Sequence, residues 1–381
     1  MSVEGPTRVA AERLLAVEPV LQAIAPLRDL AALPARTLLH AGPAYLTPDE
    51  IPAPVLNAAT AAARLEGWGG TREAVREAIA TGTIALSPAQ DHGVVTPLAF
   101  VAGPSTVCLA VGDRARPGAV KIAPLNDGPP PHSLRFGTLG EAGEAVVRDL
   151  VSGTGAALAA TLAAPLPLLP AMGRALAAGD DLHGRVSAMQ AEVLAGLAPP
   201  RPAAVEAYLA GAGQFALNVV MAAAALMLSA GEGIAGGRLV TACGANGVRL
   251  GIRRGGGWET APATRPVGPR LPGKEGARPL PAIGDSAVID ALGFGAACLR
   301  FCPDLMAALG PCIERGEIDP GFLTAAAHDP FVARHPAFAA EGLRLGLDPE
   351  RPRSCLGIML GMVEESGTHG LIGRGIAPWP Q

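Results

Sequence analysis

The sequence predicts an α+β protein in which two mixed α/β regions, residues 1–140 and 236–381, flank a helical subdomain, residues 141–235. Three observations lead there. Short apolar runs punctuated by Gly and Pro fill both ends of the chain, a long helix-patterned stretch fills its middle, and no regular strand-helix-strand rhythm suggests a parallel doubly wound sheet.

The elements follow in order. Residues 5–31 read as an amphipathic helix. "RTLLHAGPAYL" is a short strand running into a Gly-Pro turn, and "PAPVLNAATAAARLEGWGG" is a helix stopped by Gly69 and Gly70. "TREAVREAIATG" opens with Thr71 as an N-cap and carries Glu73 and Glu77 early, as a helix dipole favours. "TVCLAV" and "GAVKIAP" are strands. "GRLVTACGANGVRLGIRRGGGWETAPA" gives two or three more with Gly-rich turns between them. Residues 266–281 are a Pro- and Gly-rich loop, residues 286–310 are helical, and helical fragments lead to the C-terminal stretch.

Composition narrows the function classes. The chain is 49% hydrophobic, 17% charged and only 3% aromatic, which excludes disorder. A net charge of -4 with scattered basic residues gives no field for nucleic acid. Two apolar stretches need a membrane check. Pro165, Pro167 and Pro170 break the first, and Gln214 and Asn218 with no flanking basic bias make the second a buried core helix, so no membrane association is expected. Glu4, Glu12 and Arg13 break any signal-peptide pattern. Six scattered cysteines, with no CxxC pair and no histidines near Cys298 and Cys302, read as buried thiols of a reducing cytoplasm, with no metal site.

No nucleotide-binding glycine loop, nucleophile elbow, zinc-protease helix or calcium loop is present. What remains is a set of Gly-flanked polar clusters: "LHAGP" with His40, "DHGVV" with His92, "LNDG" with Asn126 and Asp127, "GDDLHGR" with His183 and Arg185, "GANG" with Asn246, "IGDS" with Gly284, Asp285 and Ser286, and "GTHGLIGRG" with Arg374. Glycine beside a polar residue lets the backbone approach a ligand closely. Each cluster alone also reads as an ordinary turn. For "IGDS" the local reading is that Asp285 or Ser286 caps the helix that follows.

Taken together and in this order, "RTLLHAGP", "HGVVTPLAFVAGPS", "LNDG…LRFG", "GDDLHGR", "GQFALNVVMAAA", "LVTACGANGVRLGIR", "IGDSAVIDALGFGAA" and "GLIGRGIAP" resemble the YlbE-like family, whose members include the AllG subunit of bacterial oxamate carbamoyltransferase. The likeness runs from about Arg8 to Pro378. It departs in places: "QDHGVVTP" keeps only His92 and Gly93 of a histidine-rich run, "GDDLHGRV" keeps His183 and Arg185, and "AGQFALN" keeps Phe215 and Asn218, which marks a divergent member.

The resemblance implies a cytoplasmic carbamoyltransferase component in purine (allantoin) nitrogen catabolism. It implies small anionic substrates (carbamoyl phosphate, oxamate, oxalurate), other carbamoyltransferase subunits as partners, room for a homo-oligomer, and no cofactor. The reaction is phosphorolysis of oxalurate to oxamate and carbamoyl phosphate. Carried onto this chain, it makes His92, His183 and Asp285 the candidate catalytic residues. Arg185 and Arg374 are candidates for the anionic groups, Asn218 and Asn246 for positioning, and Gly284 with Ser286 for an anion at a helix start. Two other classes stay open: an amidohydrolase acting on a small ureido acid, and a non-catalytic scaffold subunit.

Overall fold

The computed structural model describes residues 5–125, 127–130, 133–351 and 355–380. It is a mixed α+β fold, as the sequence predicts. Among the described residues two four-stranded antiparallel sheets dominate. The first has the order β5-β4-β1-β6, with β1 Pro19–Pro26, β4 Val107–Asp113, β5 Val120–Pro124 and β6 Leu166–Pro167. The second has the order β10-β7-β8-β9, with β7 Ala242–Asn246, β8 Arg249–Arg253, β9 Glu259–Pro262 and β10 Ile283–Gly284. Three pairs complete the set: parallel β2 (Thr37–His40) with β3 (Ala85–Pro88), antiparallel β11 (Phe331–Ala333) with β12 (Leu345–Leu347), and antiparallel β13 (Gly357–Val363) with β14 (Leu371–Pro378).

The organising element is the helix Phe215–Ser229. It is apolar nearly all round, and all but two of its fifteen residues are alanine, valine, leucine, methionine or phenylalanine. A helix without a polar face has to be enclosed. It packs against β1, β4 and β5 on one side and the helix Ala287–Leu292 on another. Its free N-terminal N–H groups need partners, and Gln190 Oε1 accepts from Ala216 N at 2.8 Å. No single helix among the described residues is long and apolar enough to cross a membrane.

Other elements follow their local signals. Thr71 caps its helix through Ala74 N at 3.1 Å, and the helices Ala53–Leu65 and Arg72–Ala80 fall where expected. One expectation needs correction. The helix read over residues 5–31 ends at Leu15, and "PVLQAIAP" is β1, held between β4 and β6. Its run, apolar but for Gln22, carries no helical period, so pairing on both edges decides. The C-terminal stretch, to which the sequence assigns no element, forms the β13–β14 hairpin.

A strap over residues 267–280 lies along that hairpin. Val267 N donates to Ile376 O (2.9 Å), Leu271 N to Ile372 O (2.9 Å) and Leu280 N to Val363 O (2.8 Å). Glycine makes this approach possible. A Cβ on Gly373 would lie 2.4 Å from Pro269 O, and one on Gly375 2.1 Å from Val267 O.

Candidate functional site

The strap, the hairpin, the helix Phe215–Ser229 and the loop before Arg185 enclose a cavity of about 240 Å³. Its walls are largely apolar: Leu98, Phe136, Leu217, Leu305, Leu360 and Leu371 among them. Three arginines, Arg135, Arg270 and Arg374, project into this setting, with His183, Asn218 and Ser286. No aspartate or glutamate is among the lining residues described. An apolar cleft carrying one sign of charge focuses its field and draws small anions.

His183 is the group best placed to move a proton. It is buried, and its Nδ1 lies 2.7 Å from Asp290 Oδ2. The other Asp290 oxygen accepts from Ala296 N (2.9 Å) and Met359 N (3.1 Å), which fixes the carboxylate. A carboxylate on Nδ1 selects the tautomer with the proton there and leaves Nε2 as the base. The loop itself is built by two buried acids. Asp181 accepts from the backbone N–H groups of His183 (3.1 Å), Gly184 (3.0 Å) and Arg185 (2.7 Å), and Asp180 from Met189 N (2.8 Å). Leu182 stands at φ 66° and Leu98, across the cavity, at φ 47°. Non-glycine residues held in this region cost about 1–3 kcal/mol each and concentrate at functional sites.

The arginines differ. Arg135 is buried, and Asp127 holds its Nη1 at 2.7 Å. Arg270 comes from the strap, reaches Met362 Sδ, and is lowered from the usual guanidinium range by burial. Arg374 sits on β14 between Gly373 and Gly375, whose bare faces receive the strap. The glycines flanking Arg374 therefore serve backbone packing. Strand alternation then turns the arginine away from the strap.

Of the residues singled out from sequence, His183, Asn218, Ser286 and Arg374 meet in the cavity. Asn218 also donates to Pro124 O at 2.7 Å. The others lie elsewhere. His92 Nε2 lies 3.0 Å from Ser87 Oγ. Arg185 is held by Asp180 (2.7 Å) and Asp304 (3.0 Å). Asn246 donates to Pro43 O (2.8 Å) and accepts from Val248 N and Arg249 N, closing a turn. Gly284, at φ 119°, packs on Leu98. Asn126 lies outside the described residues.

The capping expectation for "IGDS" is corrected. The helix Ala287–Leu292 has no side-chain cap. Asp285 turns back instead and ties distant segments together, accepting from Gly42 N (2.9 Å), Thr96 N (2.9 Å) and Gln90 Nε2 (2.6 Å). Burial pushes its carboxyl up to about 7, against the pull of these donors. Sequence reasoning did not single out Asp290, Arg135 or Arg270 as site residues. The signal for Asp290 is one acid inside an apolar helix. For Arg270 it is one arginine between glycines in "VGPRLPG", as Arg374 lies between glycines in "GLIGRG".

Comparison with known proteins bears on this geometry. The family model for oxamate carbamoyltransferase subunit AllG matches residues 84–286, more than half of the chain. The chain is 28% identical over 386 residues to oxamate carbamoyltransferase subunit AllG of Escherichia coli strain K12, covering 97% of this chain and 88% of that one. It is 26% identical over 326 residues to the uncharacterized protein YahG of the same organism, covering 80% and 67%. In fold it is similar to a conserved protein of unknown function from Enterococcus faecalis V583, with a TM-score of 0.84 at 21% identity, covering 98% and 94% of the two chains.

Proposed function

Because the chain belongs to the AllG family of oxamate carbamoyltransferase subunits, we propose that its arginine-lined cavity binds the carbamoyl substrates of such a complex and that His183 moves the proton. The observation carrying this reading is the His183–Asp290 pair opening onto a cavity with three arginines and no lining carboxylate among the described residues.

Phosphorolysis of oxalurate has charges that suit this lining. Oxalurate and hydrogen phosphate are both anions, and they meet Arg270 and Arg374, with Arg135 already paired to Asp127. A phosphate oxygen attacks the carbamoyl carbon and the C–N bond to oxamate breaks. The proton lost by hydrogen phosphate passes to His183 Nε2 and on to the departing amide nitrogen, so the imidazole ends as it began. Asp290 holds Nδ1–H and stabilises the transient imidazolium. Arg374 and Arg270 take the carboxylate and phosphate, and the Ser286 hydroxyl and Asn218 orient the carbamoyl group. In this reading His92, Arg185, Asn246, Gly284 and Asp285 lie outside the cavity lining and do not touch substrate. The complex works in the cytoplasm, at the nitrogen-recovering end of allantoin breakdown, with partner subunits completing the enzyme.

Calorimetric titration of the folded chain with oxamate and carbamoyl phosphate tests this. Arg374→Ala and Arg270→Ala should each weaken binding about tenfold or more, as expected for loss of a charge-assisted hydrogen bond. Arg185→Ala should leave affinity within about twofold, because its charge is already engaged by carboxylates. Wild-type affinity in both cavity variants overturns the reading.

A further inference from the structure

A second cavity, of about 220 Å³, shares no lining residue with the first. It lies where β5, β8, the end of the helix Phe215–Ser229 and the segment around Gln90 come together. Its polar groups are incompletely matched. The ammonium of Lys121, on β5, has no hydrogen bond or ion pair among the described residues, although the residue is partly buried. Burial lowers its ammonium from the usual lysine range, and the Glu232 carboxylate opposes that. Arg253 pairs with Asp91 and lies over the Trp258 ring at 4.4 Å, yet its buried Nε has no acceptor.

Acceptors are left over too. Gln90 Nε2 donates to Asp285 Oδ1 (2.6 Å) and Cys243 O (2.8 Å), which settles the amide orientation and leaves Oε1 without a partner. The exposed Glu232 carboxylate, too, has no hydrogen bond or ion pair among the described residues. The cavity thus offers two donors that lack acceptors, Lys121 Nζ and Arg253 Nε, and two acceptors that lack donors. Arg253 Nε is fully buried and costly to leave unmatched, and one ligand with both kinds of atom serves it together with the three groups that are less deeply buried. Only two of the 30 basic residues in the chain are lysines, so a compact point charge here stands apart from the arginines used elsewhere.

We propose that this cavity is a second small-molecule site, built for an anion that also carries N–H donors, such as a carboxamide or ureido acid. The proposal does not depend on which reaction the first cavity supports.

Amine labelling of the full chain with acetic anhydride, read by peptide mass spectrometry, tests it. Lys274, on the strap, is an internal control. Saturating oxamate or N-carbamoylglycine should slow Lys121 modification about fivefold or more by occupying its ammonium, with Lys274 unchanged, while oxalate and phosphate protect it less. Calorimetry decides if Lys121 resists labelling. Arg374→Ala should keep one equivalent of oxamate binding, and adding Lys121→Gln should weaken that equivalent about tenfold or more. No ligand-dependent protection and no Lys121-dependent equivalent overturn the site. Equal protection by oxalate and oxamate overturns the requirement for N–H donors.

Discussion

Val94 and Val95 face one cavity, while Pro97 and Leu98, two residues on, face the other. The chemistry on the two sides differs. The first cavity sets Arg270 and Arg374 among leucines and backs Arg135 with Asp127, outside the lining. The second sets Lys121 and Arg253 against Asp91 and Glu232 within the lining itself. An unbalanced lining selects for charge, and a balanced one for the arrangement of donors and acceptors. Asp285 stands between them, gripping Gln90 of the second cavity and, through Thr96, the turn that leads to Pro97 and Leu98 of the first.

The sharpest way to separate the two regions is through the proton carrier. His183→Ala should lower carbamoyl transfer in the reconstituted complex by about 10²–10⁴-fold, the usual contribution of a general base. Asp290→Asn should follow it closely, because the amide no longer holds the right tautomer. Oxamate affinity should change far less than turnover in both, and equal losses in the two would make His183 a binding residue. A change at the shared point should blur the comparison. In Asp285→Asn one amide N–H₂ must face Gly42 N–H or Thr96 N–H, so unfolding in urea should show a loss of about 2–3 kcal/mol.

The smallest expected effect lies away from both cavities. Burial lowers His40 and His328 to about 4, well below the 6.5 of a free imidazole. The unfolded chain then binds protons that the native chain refuses between those values. Stability from each is complete above pH 6.5 and lost as pH falls toward 4. Asp285 has the opposite sign: its raised carboxyl favours the native state below the usual carboxylate range, and that contribution is lost as pH rises through about 7. Urea unfolding against pH should show His40→Phe flattening the acid limb and Asp285→Asn steepening it.

Much of the fold can be read from the sequence because its helices announce themselves locally. Thr71 and the enclosed apolar face of Phe215–Ser229 need no distant partner to be recognised. β1 and the β13–β14 hairpin do need one. "PVLQAIAP" takes its conformation from β4 and β6, far along the chain, and "GLIGRGIAP" from the strap. The site divides in the same way. His183, Asn218, Ser286 and Arg374 stand out as polar residues beside glycine or inside apolar runs. Asp290 became visible only when folding brought it to the His183 ring, 107 positions away. The fates of Arg185 and Arg374 depend on which carboxylates end beside them, and spacing does not encode that.

The order in which the walls are supplied has a consequence for biosynthesis. A chain leaves the ribosome N-terminus first, and Arg374 is the last of the lining residues to emerge. Until β14 pairs with β13 and the strap, the first cavity lacks one of its three cations and one of its sides. A nascent chain therefore gains no stabilisation from bound anion while its earlier elements are folding. Ligand can act only as a late lock on the hairpin, so a translation stop before this strand would release a chain whose helical centre forms without an anion site.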